Sequence, residues 1–263
     1  RGVGDLELAA QQAVSLGAPV IGVAIPSGIA ALDALAFILR VRRLGFRGHI
    51  TCGGAFATLC RSRLLETTPA LDSVIRHHGA HALVDLVEAV VDGRDLSKLQ
   101  GVTNREGDGE PTRPIDITGE LDLLPEREEL GRFAGVPAAK MSAVRGCWGR
   151  CDYCGLRALR KEHLREMPRA KGIHRRPIES VADEMARLYH DRGVRFFHFV
   201  DENHLPRKKE EAVRVIRELD ESLRRRKVGP RAIQMMLRAD SASTEVVAAL
   251  KELGLVRCLL GVE

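Results

Sequence analysis

The chain has 263 residues, 44% hydrophobic and 29% charged, which is ordinary for a globular protein of one large or two modest domains. A net charge of +5 with only 4% aromatic residues gives a mildly basic surface poor in stacking side chains, which argues against nucleic acid as a partner. Three of the six cysteines crowd into residues 147–154 and the rest are scattered, a pattern unlike a secreted disulfide framework.

The ends carry no signal-peptide pattern, so the expected location is a reducing cytoplasm. Arg1 stands where a Met would, and Glu263 closes an apolar run, so the expectation is a fragment. Residues 6–16 read as a helix. Residues 16–39 are apolar enough to suggest a membrane span, but Pro19, Pro26, Gly28 and Asp33 interrupt them. A buried strand over 20–24 and a helix over 30–44 account for them better. A short strand at 49–52 ends in Gly53-Gly54, a third strand is expected over 71–75, and a helix over 82–91. Strands alternating with helices imply parallel β-α-β units and a doubly wound sheet over residues 1–100. Ligands of such sheets bind at the carboxyl ends of strands, where Ser27, Gly53 and Gly54 fall.

Residues 101–137 are rich in Gly, Pro, Asp and Glu and read as a linker. Alternation resumes over 138–263, with strands at 138–144, 194–200, 232–237 and 256–262. Helices are expected at 178–192, 208–225 and 244–253, the last opened by a Ser243 cap. Four parallel strands of this kind make half a βα barrel.

The strongest signal is the loop Cys147-Trp148-Gly149-Arg150-Cys151-Asp152-Tyr153-Cys154. Three thiolates ligate three irons of a cubane cluster and leave the fourth iron to a small molecule. Tyr153 is placed to pack over cluster or ligand. The competing reading is structural zinc, which takes four ligands and for which His163 is available without a second cysteine pair. Cys52 and Cys60 read as ordinary buried thiols. The basic stretch 145–176 reads as a solvated face, and the histidines in Arg76-His77-His78-Gly79-Ala80-His81 as a polar surface turn.

The Cys-x3-Cys-x2-Cys pattern after the first strand of a βα barrel, with an aromatic before the third cysteine, resembles the radical S-adenosylmethionine (SAM) superfamily. The resemblance implies that a [4Fe-4S] cluster on Cys147, Cys151 and Cys154 binds SAM and cleaves it reductively. The product would be a 5′-deoxyadenosyl radical that abstracts a substrate hydrogen. Asp201, Arg238 and Glu263, at the ends of the second, third and fourth strands, are the SAM-contact candidates, with a solvated polar residue as the alternative at each.

Residues 8–91 resemble the later part of the cobalamin-binding domain found in many of these enzymes, and Cys52-Gly53-Gly54-Ala55-Phe56-Ala57-Thr58 carries that likeness. Two acids of the relatives are histidines here, and Asp-x-His-x-x-Gly is absent. The fold expected is therefore α/β: a doubly wound Rossmann-like cobalamin-binding-type domain followed by part of a radical SAM βα barrel. The implied function is cobalamin-dependent methyl transfer or a related radical modification of a small molecule or peptide, with a reductant such as flavodoxin or ferredoxin. Alternatives are a zinc- or cluster-containing binding module for nucleic acid or protein, and a methylthio-type tRNA-modifying enzyme.

Overall fold

A computed structural model describes residues 3–112, 125–168 and 173–261. The chain divides into two compact units: Arg1–Ile115 with Arg150–Ala170, and Asp116–Gly149 with Lys171–Glu263.

The first unit runs α1 (Val3–Ser15), β1 (Val20–Ala24), α2 (Gly28–Arg43), β2 (His49–Gly53), α3 (Ala55–Thr67), β3 (Ser73–Ile75), α4 (Ala80–Val91), β4 (Val102–Asn104) and β5 (Gly107–Asp108), and includes α5 (Gly155–Glu166). Its sheet has the order β1-β2-β3-β4-β5. The pairs β1–β2 and β2–β3 are parallel, and the last two pairings antiparallel. Successive side chains of β1 turn to opposite faces. Ile21 enters the core with Ile38, Val41 and Ile50, while a Cβ on Gly22 would lie 3.9 Å from Leu83 of α4. Helices thus cover both faces. The apolar stretch that imitates a membrane span is β1 followed by α2, and among the described residues no helix is long and apolar enough to cross a membrane.

In the second unit β6 (Gly131–Phe133) and β7 (Val136–Met141) form a hairpin. Then come β8 (Val144–Arg145), β9 (His174–Arg175), α6 (Ile178–Arg192), β10 (Phe196–Phe199), α7 (Lys209–Arg225), β11 (Ala232–Arg238), α8 (Thr244–Leu253) and β12 (Leu255–Gly261). The main sheet has the order β12-β11-β10-β7-β6, and β7, β10, β11 and β12 are mutually parallel. Strand residues Ala139, Phe197, Phe199, Ile233 and Met235 bury against Met185 of α6, Ile216 of α7 and Leu250 of α8. Ser243 caps α8, accepting the Val246 N–H at 3.4 Å.

Two differences from the sequence reading stand out. Residues expected as linker contain β4, β5 and β6, whose short polar segments become strands because neighbouring sheet edges take up their backbone groups. Residues 150–170, expected within the second domain, cluster with the first unit.

Gly54 makes the turn from β2 into α3 at φ 111°, where a Cβ would lie 2.8 Å from the Ile25 carbonyl oxygen. Gly54→Ala is therefore expected to cost roughly 1–3 kcal/mol, read as a lower urea midpoint at unchanged m-value. Gly45→Ala, at φ 91° with nothing within 4 Å of the new Cβ, should cost less. Equal losses would show that the Ile25 contact is not the constraint.

Candidate metal centre and strand-end site

Parallel β7 ends at Met141, the chain crosses β8, and the cysteine loop leaves from Gly146, whose φ of 90° turns the backbone sharply. The division between the units falls within this loop, between Gly149 and Arg150. None of the three cysteines is in a disulfide and none is fully buried.

On the second-unit side, the Gly149 N–H donates to Cys147 Sγ at 3.3 Å. Trp148 Nε1 donates to the Leu205 carbonyl at 3.1 Å, fixing the indole. Arg238, at the end of β11, lies with its guanidinium carbon 4.7 Å from the centre of that ring. Asp240 holds the same guanidinium through two hydrogen bonds of 3.0 and 2.8 Å. A Cβ on Gly149 would meet Arg238 Nη1 at 2.6 Å and Cys147 Sγ at 3.3 Å, so a larger residue there would push the guanidinium aside. The Gly146 N–H donates to Glu202 Oε2 at 3.3 Å.

On the first-unit side, the Cys154 N–H donates to the Cys151 carbonyl at 3.2 Å. Cys154 is the N-cap residue of α5, so the positive end of the helix faces its backbone. Tyr153 is 67% exposed, and Arg157 pairs with Asp152. No residue of α5 is fully buried. Charged groups add to what holds the helix. Arg61 of α3 donates twice to Asp108 and once to Glu162, each at 2.8 Å. Arg76, 2% exposed in its side chain, lies 3.5 Å from Glu166 and 3.2 Å from Asp108. His77 Nε2 approaches Glu166 at 3.3 Å. Arg61 donates hydrogen bonds that hold the Asp108 carboxyl well below its ordinary range, against the opposing effect of burial.

The expected surface turn of histidines is thus corrected at His77, whose side chain is buried against α5. The signal was Glu162 and Glu166, four apart on one face of an otherwise basic helix. The basic face read over 145–176 is likewise interrupted: Arg176 is buried and paired with buried Glu184 at 2.6 Å. Cys52 is buried, and burial pushes its thiol up to about 12; Cys60 is only partly buried.

The strand-end candidates differ from one another. Asp201 is 2% exposed, which corrects the solvated alternative at this position. Its Oδ1 accepts from Ser142 Oγ and the Ala143 N–H, both at 2.9 Å. Its Oδ2 lies 2.6 Å from His204 Nδ1. Burial alone would raise its carboxyl, but the His204 hydrogen bond and charge and the backbone N–H groups of Val144 and Ala143 outweigh it, leaving it below the ordinary range. Beside it Asn203, 2% exposed, has neither amide atom hydrogen-bonded among the described residues. Nothing in the sequence singled it out as buried. Glu263 lies outside the described residues. Ser27 caps α2, accepting the Ala30 N–H at 3.5 Å. Gly53 continues the sheet beside Ala24 and Ile75.

The cysteine residues fit an iron–sulfur cluster: thiols outside any disulfide share a glycine-containing loop, and a backbone N–H points at one sulfur. Among the described residues no three of His, Cys, Asp and Glu converge on a single metal ion. A cluster does not ask for that, because each thiolate takes its own iron.

Residues 141–263 match the family model of the Radical SAM superfamily. An anaerobic magnesium-protoporphyrin IX monomethyl ester cyclase of Synechocystis is 28% identical over 161 residues, covering 59% of this chain and 30% of that protein. An uncharacterized methyltransferase of Pyrococcus horikoshii is 26% identical over 241 residues, covering 88% of this chain and 49% of the relative. The chain thus spans about half the length, or less, of these curated relatives. Among solved structures, the radical SAM methyltransferase TsrM of Kitasatospora setae superposes with a TM-score of 0.66 at 19% identity, over 98% of this chain and 51% of that one. The cobalamin-dependent radical SAM enzyme OxsB superposes with a TM-score of 0.66 at 17% identity, over 98% and 37%. At these identities the structural likeness is one of fold.

The Asp201 network predicts a pH dependence. A carboxyl depressed in the native state contributes stability fully above its unfolded pKa of about 3.9, and loses that contribution as pH falls through the lower native value. Asp201→Asn should therefore be less stable at neutral pH, and its urea midpoint should fall less steeply than wild type below about pH 4. Parallel midpoint curves from neutral pH into acid would contradict the assignment.

Proposed function

We propose that this chain is part of a radical SAM enzyme in which Cys147, Cys151 and Cys154 ligate a [4Fe-4S] cluster. The observation that carries the reading is the placement of these thiols on the loop after the first strand of a parallel set, within a matched Radical SAM domain. A cluster held by Cys147, Cys151 and Cys154 would supply the electron for reductive cleavage of SAM.

The protein's own residues orient and shield. The Gly149 N–H steadies the Cys147 sulfur. Trp148, fixed by the Leu205 carbonyl and flanked by Arg238, walls one side of the loop. Arg238 is the SAM- or substrate-contact candidate with a guanidinium edge beside Cys147, whereas Asp201 acts through the backbone it holds. Tyr153 and Glu263 stay proposed ligand contacts.

The first unit is the proposed cobalamin-binding-type, Rossmann-like domain, with Ser27, Gly53 and Gly54 near the cofactor. Its support is the parallel β1-β2-β3 core with helices on both faces. Methyl transfer is the favoured outcome, because the relative that covers 88% of this chain, first unit included, is named a methyltransferase. The proposed substrate is a small molecule or peptide, with an external reductant.

Anaerobic reconstitution with iron and sulfide, followed by EPR of the reduced protein with and without SAM, tests the cluster. A cubane signal that changes on adding SAM is expected, as is its loss in Cys147→Ala, Cys151→Ala and Cys154→Ala but not in Cys60→Ala. Stoichiometric zinc without a cluster would instead establish the binding-module alternative. A separate assay tests cobalamin: after incubation with hydroxocobalamin and desalting, absorbance should show about one equivalent retained, the stoichiometry of a single domain site. No retention by a protein with a SAM-responsive cluster would favour the methylthio-type alternative.

A further inference from the structure

The face of the second-unit sheet turned away from the helices is not apolar. Lys140 of β7, His198 of β10, Gln234 of β11 and Arg257 of β12 stand in register across three successive parallel pairings. Their strand neighbours Ala139, Phe197, Ile233 and Met235 enter the helical core, so the period of two sends the row to the opposite face. The row lines an open cavity of about 610 Å³. Besides Lys140 and Arg257, the cavity wall carries Arg127 and Arg132 against one carboxylate, Glu129, among the described residues. Arg127 is engaged by Glu184 at 2.6 Å.

The middle of the row is preorganised. Gln234 is buried, and its Nε2 lies 3.0 Å from His198 Nε2. With the amide donating, the ring nitrogen accepts and the imidazole is neutral. Burial, followed by the charges of Lys140 and Arg257, lowers the His198 pKa and favours that form. The row therefore presents two exposed cations flanking neutral hydrogen-bonding groups, with the field of an anion site.

One layer further along the same face come Val200, Met236 and Leu259, 45%, 40% and 42% exposed. Beyond them stands Arg238, in register with Gly261. Arg238 lies four residue steps beyond Gln234, about 13 Å at ~3.3 Å per residue. Cation row, apolar layer and strand-end site thus succeed one another along one face.

We propose that this face binds the substrate of the radical chemistry, and that the substrate has an apolar body ending in an anionic group, carboxylate or phosphate. The anion sits on Lys140 and Arg257, the body crosses Val200, Met236 and Leu259, and the far end reaches the strand-end site. The word substrate rests on the radical SAM reading; the anion site does not.

Decanoate, decyl phosphate and 1-decanol serve as probes, followed by calorimetry and by the His198 ring resonances in isotope-labelled protein. At least one of the two anions is expected to bind and shift the His198 signals, the tighter one naming the headgroup, while decanol does not bind comparably. Lys140→Gln/Arg257→Gln should weaken anion binding by about tenfold or more, the scale of a lost charge-assisted hydrogen bond. Both side chains are exposed, so folding should be unaffected, which circular dichroism verifies. Absence of anion binding, equal binding of decanol, or unchanged affinity in the double variant would overturn the proposal. The measurement needs neither cluster nor SAM. Anion binding by a protein that assembles no cluster would sink the enzyme reading and leave the site, and the converse result would sink only the site.

Discussion

The loop that carries the cysteines begins where a buried carboxylate ties two parallel strands together. Asp201 follows β10, and its Oδ1 accepts from Ser142 Oγ and the Ala143 N–H just beyond β7. Register alone sets β7 beside β10 along their lengths, but the chain beyond a strand end is free to wander. One carboxylate accepting from two groups on the neighbouring segment removes that freedom within a few residues of Cys147. His204 on the other oxygen keeps the buried charge compensated, without which burial would favour protonation and weaken the bonds from Ser142 Oγ and the Ala143 N–H. Placement of Gly146, Cys147 and Trp148 in the second unit follows from this tie.

The first unit solves a related problem with different materials. Helix α5 follows the third cysteine, its N-cap, and buries no residue fully: Leu156, Leu159 and Leu164 are half-buried. Arg61, Arg76 and His77 also meet Glu162 and Glu166. Buried ion pairs recover their desolvation cost only with good geometry, so they add less net stability than a well-packed apolar contact. They are directional, however, and an apolar seam tolerates sliding where a fork of hydrogen bonds from Arg61 to Asp108 and Glu162 does not. For a helix whose N-cap residue is a proposed ligand, orientation matters more than stability.

Periodicity made most of the fold legible. β1, α6 and α8 have the bounds the pattern predicts, and α2, β2, α4, α7 and β11 differ by a few residues. Helix α3 was not read, because Phe56, Leu59, Leu64 and Leu65 form no continuous stripe and Cys60 interrupts the helical dihedrals. Strands β4, β5 and β6 were hidden by polar composition, since what makes them strands is pairing with a partner distant in sequence or across a turn. At the site, the three cysteines and Arg238 were visible from spacing and strand-end position. Burial of Asp201, Asn203 and His77 was not. Whether a polar side chain at a strand end meets water or a network depends on neighbours such as Ser142 and Glu166 that local sequence does not identify.

The same logic bears on the exposed face of the second sheet. A parallel sheet is normally covered on both faces, and its strands then read as nearly continuous apolar runs. The helix-facing positions obey this, with Phe197, Phe199, Ile233, Met235 and Leu237 buried. The opposite positions do not: Gln234, Met236 and Arg238 alternate with them along β11, and the register joins Gln234 to His198 and Arg257. If this face were simply core for further packing, a lateral row containing Lys and Arg would be expensive to bury and would call for a carboxylate opposite each cation. If it were plain surface, the apolar layer of Val200, Met236 and Leu259 would have no reason to sit between that row and the strand-end arginine. A ligand charged at one end and apolar along its body satisfies both layers at once, and it would lead toward the sulfur beside which Arg238 is held.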